Sequence, residues 1–290
     1  MTEDTDRPAG RPADRPHWTR DPRLGVAALG VSVVALGVAV APLLTGGDFD
    51  GRVRAYLLSH PEVLEEMLQA RQMQQQAAGT EAINAAIAAD PSLIAHDPRD
   101  PAVGPAPAQA AATVIEYFDY RCPGCKSVSP GLLALIQANP DVRFVFKEWP
   151  ILDRGDDTTS NYAARAALAA HEQGRYLEVH QALMAEPALD VEAVDRVLQE
   201  AGVDMAAARA FIGSASAERH IGDIHEAARG LNLQGTPTFI VNGRATDGID
   251  PRVVAAAIDE ARRNPARPST GASAAPPPSG SDTPAALPAS

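Results

Sequence analysis

Phe118-Asp119-Tyr120-Arg121-Cys122-Pro123-Gly124-Cys125-Lys126 holds both cysteines of this 290-residue chain. It lies where a β-rich run gives way to a helical one. Upstream, Thr113 to Tyr120 is dense in β-branched and aromatic residues and reads as a buried strand. Downstream, Ser127 to Ala138 reads as a helix closed by the turn Asn139-Pro140-Asp141, and Val142 to Trp149 as a second strand. A strand, crossover helix and strand of this length predict a βαβ unit with parallel strands. With no third cysteine, a structural disulfide framework is excluded, so the pair is reactive, metal-binding or incidental.

The setting favours reactivity. Cys122 falls near a helix N-terminus, where unpaired backbone N–H groups and the helix dipole favour a thiolate. Arg121 and Lys126 are expected to add positive charge, and Pro123 suits a first helical turn. Cys125, one turn inward, is expected to be the more buried partner. A structural zinc needs four ligands, and no second cysteine pair exists. His171, His180, His220 and His225 form no convincing ligand pair; the last two are five apart, on different sides of a helix. No metal or cofactor is expected beyond the cysteine pair itself. Two thiolates also suit Cu(I), so a copper-binding thiol protein stands as an alternative.

Beyond the second strand, residues 155–230 carry helical patterning, with Asp190 as a cap for Val191 to Glu200. Gly235-Thr236-Pro237 then enters a strand, Thr238 to Val241. Asn242-Gly243 is a hairpin turn signal, and a short strand around Arg244 to Thr246 should return antiparallel. Asp250-Pro251 caps a last helix, and 264–290 reads as a disordered Pro, Ala and Ser tail.

On the N-terminal side, residues 1–23 read as a disordered cytoplasmic tail. Residues 24–44 carry no charge and have the length of a membrane-spanning helix, with Arg20 and Arg23 before it and Asp48 and Asp50 after it. This predicts a single-pass inner-membrane protein with its main domain periplasmic or otherwise extracytoplasmic. Residues 45–96 read as a juxtamembrane helical segment, broken at Ser59-His60-Pro61, with Val53, Leu57, Leu64 and Leu68 near one face. Contacts through residues 50–76 would support a homo-oligomer. Residues 97–111 read as a Pro/Ala-rich linker, and 112–263 as the main domain. The net charge of -12 argues against nucleic acid, whose phosphates need a basic patch.

The cysteine segment, the Gly235-Thr236-Pro237-Thr238-Phe239 segment and Lys147-Glu148-Trp149-Pro150-Ile151-Leu152 together resemble DsbA-like thioredoxin-fold proteins. Tyr56 to Leu64 is similar to the N-terminal segment of the ScsC-like, membrane-tethered branch, where such a segment can mediate oligomerisation. The resemblance implies an α/β thioredoxin-like fold with a helical insertion and a thiol–disulfide oxidoreductase acting on reduced or misoxidised proteins. Cys122 would be the exchanging cysteine and Cys125 the buried one. Pro237 would be cis, and Thr236 would offer its backbone to substrate. Glu116 would ferry a proton to or from Cys125, with Pro123 and Gly124 as active-site support. A membrane redox partner is implied. Pro-Gly between the cysteines, where strongly oxidising relatives often have Pro-His, and Thr before the proline leave isomerase or reductase chemistry as the alternative to disulfide formation.

Overall fold

The computed structural model describes residues 49–264, with Gly30, Ser32–Leu36 and Val40 before them. The 24–44 segment therefore lies largely outside the described residues. Among the described residues no helix is long and apolar enough to cross a membrane. The tail 1–23 and all but the first residue of 264–290 also lie outside. The chain divides into two units, one ending at Ala70 and one beginning at Arg71.

The first unit holds α1 (Phe49–Ser59) and the start of α2 (Pro61–Ala89). The break between them is the predicted one. Ser59 Oγ bonds the Ala55 and Tyr56 carbonyls, and Pro61 restarts the helix. No residue of α1 is buried, and Phe49, Val53, Tyr56, Leu57, Leu58, Leu64, Met67 and Leu68 are exposed.

The second unit is built on a five-stranded sheet of order β1-β3-β2-β4-β5. Its strands are β1 (Ala102–Val103), β2 (Ala112–Phe118), β3 (Val142–Glu148), β4 (Thr238–Val241) and β5 (Arg244–Ala245). As the βαβ reading requires, β2 and β3 run parallel around α3 (Pro123–Ala138). β4 lies antiparallel to β2 and turns into β5 through Asn242 and Gly243, both at positive φ. Between β3 and β4 lie α4 (Thr159–Glu172), α5 (Tyr176–Ala185), α6 (Val191–Glu200), α7 (Met205–Ile212) and α8 (Ala215–Gly230). The alanines 163, 164, 166, 167, 169 and 170 of α4 are buried, so neighbouring helices approach its backbone closely. α9 (Pro251–Arg263) closes the unit, with the Asp250 carboxylate accepting from Arg252 N.

Alternation along β2 and β3 sends side chains to two cores. Val114, Phe118, Phe144 and Phe146 face one, with α3, α5 and α9; Ile115, Tyr117 and Val145 face the other, with Ile224 and Ala228 of α8. Ile83 and Ile87 of α2 join this second core.

Residues 97–111, read above as a linker, run against the sheet. β1 pairs antiparallel with β3, Pro101 O accepts from Phe146 N, and buried Asp100 faces Lys147 Nζ at 2.5 Å. Proline stiffens a backbone toward an extended form, and an extended backbone is what an open sheet edge accepts. The opposite edge is covered by α2. Gln76 Nε2 and Thr80 Oγ1 donate to the carbonyls of Asp247 and Thr246, and Asn84 Oδ1 accepts from Ala245 N. These three residues recur every fourth position, one stripe of the helix.

Candidate active site

Cys122 is the N-cap of α3, with extended backbone (φ -71°, ψ 120°), and Pro123 opens the helix. The turn before it is tied by Asp119. Its carboxylate accepts from the backbone N–H groups of Arg121, Ile151 and Leu152 and from Ser160 Oγ, at 2.7 to 3.0 Å. Facing this turn is the cis Thr236-Pro237 bond, and Cys122 Sγ donates to Thr236 O at 3.2 Å. Gly124 is what lets the two loops meet. A Cβ there would stand 3.2 Å from Pro237 Cδ and 3.6 Å from Cys122 Sγ, tighter than most side chains tolerate at the proline.

The cysteines are 8% and 0% exposed, Cys122 being the outer one. Hydrogen bonding from Cys125, then from Thr236 and from the Cys125 and Gly124 backbone, outweighs burial and draws the Cys122 thiol down to about 5. Cys125 moves the other way. Its bond to Cys122 and its burial hold its thiol far above the ordinary range. One cysteine is thus set to carry negative charge and the other a proton.

The two cations expected near the sulfurs make their closest contacts elsewhere. Lys126 Nζ donates to the carbonyls of Leu183, Met184 and Glu186, at and beyond the C-terminal end of α5, while Cys125 still acts on its charge. Orphan carbonyls at a helix C-terminus attract a cation. Arg121 turns to Asp157, 2.7 Å away.

Glu116 is buried in β2, and its Oε2 has no hydrogen-bond partner among the described residues. Burial pushes its carboxyl up to about 8, and it acts electrostatically on Cys125. The structure therefore brings together Glu116, Cys122, Pro123, Gly124, Cys125, Thr236 and Pro237. The sequence reading did not single out Asp119, nor a set behind the turn: Tyr120, Glu148, Tyr176 and His180. The signal for Glu148 was present. It shares strand parity with Phe144 and Phe146, so it had to point inward. The four histidines form no metal group, and none is formed among the described residues.

A dithiol at a helix N-terminus, facing a cis-proline at the head of an antiparallel strand, defines a thioredoxin-fold protein built for thiol–disulfide exchange. The chain belongs to the family described as DSBA-like thioredoxin domain, which it matches over residues 113–258, and it is a thiol–disulfide oxidoreductase. Residues 48–78 match a second family, the N-terminal domain of the copper resistance protein ScsC. A thioredoxin-like oxidoreductase from Silicibacter pomeroyi is 36% identical with TM-score 0.52, over 58% of this chain and 94% of that one. BcfH from Salmonella enterica Typhimurium is 28% identical with TM-score 0.55, over 78% and 99%. ScsC from Proteus mirabilis shares the fold at 24% identity and TM-score 0.55, over 76% and 98%. Among curated relatives, an Na(+)/H(+) antiporter NhaA 3 of Salinispora tropica is 33% identical over 143 residues, and the chain spans only 22% of its length.

Proposed function

We propose that the chain forms disulfides in extracytoplasmic proteins, with Cys122 as the exchanging cysteine. The observation that carries this is the position of Cys122 Sγ, at a helix N-cap and 3.2 Å from Thr236 O beside cis-Pro237. A substrate thiolate attacks Cys122 Sγ of the oxidised pair. The Cys122–Cys125 bond breaks, and Cys125 leaves as a thiolate that takes a proton from Glu116. A second substrate thiolate then attacks the substrate sulfur of the mixed disulfide and expels Cys122. The substrate loses two electrons and the enzyme pair gains them. A thiolate favoured at Cys122 makes a good leaving group and stabilises the reduced pair, which supports oxidation over reduction of substrates. Thr236 offers its backbone to an extended substrate segment.

Cys122→Ser is expected to abolish oxidation of a reduced, unfolded test protein, and Cys125→Ser to accumulate mixed disulfides visible on non-reducing gels. Full activity in both variants sinks the mechanism. Rapid alkylation in cells gives the direction: a mostly oxidised pair fits disulfide formation, a mostly reduced pair fits an isomerase or reductase.

The charge-free 24–44 segment with arginines before it supports a membrane anchor that holds the domain outside the cytoplasm, where a membrane partner reoxidises the pair. Protease accessibility of the domain in spheroplasts tests this, and protection would reverse the orientation. The exposed apolar side chains of α1 and early α2 support self-association there. Leu64→Asp should lower the mass measured by light scattering; an unchanged monomeric mass for the parent chain removes this part of the reading.

A further inference from the structure

Behind the active-site turn lies a buried polar group that exchange at the cysteines does not use. Glu148 ends β3 and is 1% exposed. Its Oε1 meets the hydroxyls of Tyr120 at 2.9 Å and Tyr176 at 2.8 Å. His180 Nδ1 lies 3.1 Å from the Tyr120 hydroxyl and 3.5 Å from that of Tyr176. Tyr120 is two residues before Cys122, and Tyr176 and His180 are one turn apart on α5. Among the described residues no lysine or arginine contacts this group. Lys147, next in sequence, points to the other core, where it meets Asp100.

Counting protons shows what the arrangement permits. The three shorter contacts need three protons. With an ionised Glu148 they come from the two tyrosines and a His180 Nδ1–H. With a neutral Glu148 they come from the two tyrosines and the carboxyl itself, with His180 Nδ1 accepting. The same heavy-atom geometry therefore holds Glu148 in either charge state, without rearrangement of the packed core around it. The other titratable groups facing it are Glu116 of β2, which shares its side of the sheet, and Asp119 of the turn; both are acidic. The His171 ring packs edge-on to Tyr176 at 6.0 Å. Like charges at such depth do not ionise together without cost.

We propose that Glu148, held by Tyr120, Tyr176 and His180, is a second buried acid that takes up a proton when the Cys122–Cys125 pair is reduced and gives it back on oxidation. It does not touch the sulfurs. It acts on them through its charge, from the Tyr120 hydroxyl that it holds two residues before Cys122, as a positioning residue for the exchange proposed above. With glutathione as reductant, the pair with ionised Glu148 plus two glutathiones gives Cys122 thiolate, Cys125 thiol, neutral Glu148 and glutathione disulfide. Two electrons pass to the pair, one glutathione proton goes to Cys125 and the other to Glu148. Burial raises the Glu148 carboxyl well above its ordinary range.

The experiment equilibrates the full chain and its Glu148→Gln variant with glutathione buffers from pH 6 to pH 9.5 and takes the ratio of their equilibrium constants. Glutathione's own titration cancels in that ratio. The expected ratio is one at pH 6, rising with pH to about three- to tenfold in favour of reduced Glu148→Gln, the size of a charge–charge interaction across a protein interior. A ratio that is constant at any value overturns the proposal, because a purely structural role shifts both curves in parallel. Should Glu148→Gln fail to fold, Tyr176→Phe replaces it. That variant removes a donor to the ionised carboxylate, so the same alkaline rise is expected. The equilibrium needs only the Cys122–Cys125 disulfide. A chain inactive toward protein substrates but showing the rise refutes the function and keeps this proposal; an active chain with a flat ratio does the reverse.

Discussion

The two faces of the sheet bury charge by opposite rules. On the cysteine face, Glu116 and Glu148 are buried with hydroxyls or nothing as partners. On the other face, Asp100 is buried with Lys147 Nζ at 2.5 Å, and His220 Nε2 lies 3.3 Å from its second oxygen. A paired charge is fixed, because removing its proton balance strands the partner. An unpaired acid is free to change charge. The paired arrangement pins the strand that leads into the domain, and the other leaves two acids buried on the cysteine face of the sheet.

The largest expected effect breaks the paired face. Asp100→Ala leaves Lys147 buried without a counter-charge and should destabilise the fold by about 3–5 kcal/mol in urea unfolding. A loss below about 1 kcal/mol would mean that water already reaches the pair.

The unpaired face should answer with the opposite sign. Glu116 has a folded pKa raised to about 8 above an ordinary value of 4.5, so its burial costs nothing below the ordinary value. Stability is then lost as pH rises through that window. Glu116→Gln should therefore be neutral at pH 4 and stabilise the reduced protein by roughly 4 kcal/mol near pH 8. A gain that does not vary with pH would remove the buried ionisation.

A smaller effect concerns Cys122, drawn down to about 5. Its alkylation rate should stay level from pH 8 to pH 6 and fall by half near pH 5. A fall centred near the ordinary thiol value would place no special charge at the helix N-terminus. The smallest effect is at the covered edge: Asn84→Ala removes the acceptor for Ala245 N, one neutral hydrogen bond worth about 1 kcal/mol. Equal urea midpoints for the two proteins would assign that edge no such contribution.

Local sequence determined β2 to β5, the helix behind the cysteines, the Asn242-Gly243 hairpin and the cap at Asp190, because each depends on neighbours a few residues away. It also placed Cys122 above Cys125, since a helix N-terminus and one turn of pitch decide that order. What it could not decide depends on residues far apart in the chain. Lys126 follows Cys125 directly in sequence, yet its hydrogen bonds go to carbonyls at the end of α5, some sixty residues on. Pro-rich 97–111 has the composition of a spacer, and only the open edge of β3 makes it a strand. Gln76, Thr80 and Asn84 form a polar stripe whose purpose is set by the backbone of Thr246 and its neighbours. Strand parity sends Glu116 and Glu148 to the same face. That one should act on Cys125 and the other should meet two tyrosine hydroxyls was settled by packing, because burial prices a charge by what surrounds it and sequence does not name the surroundings.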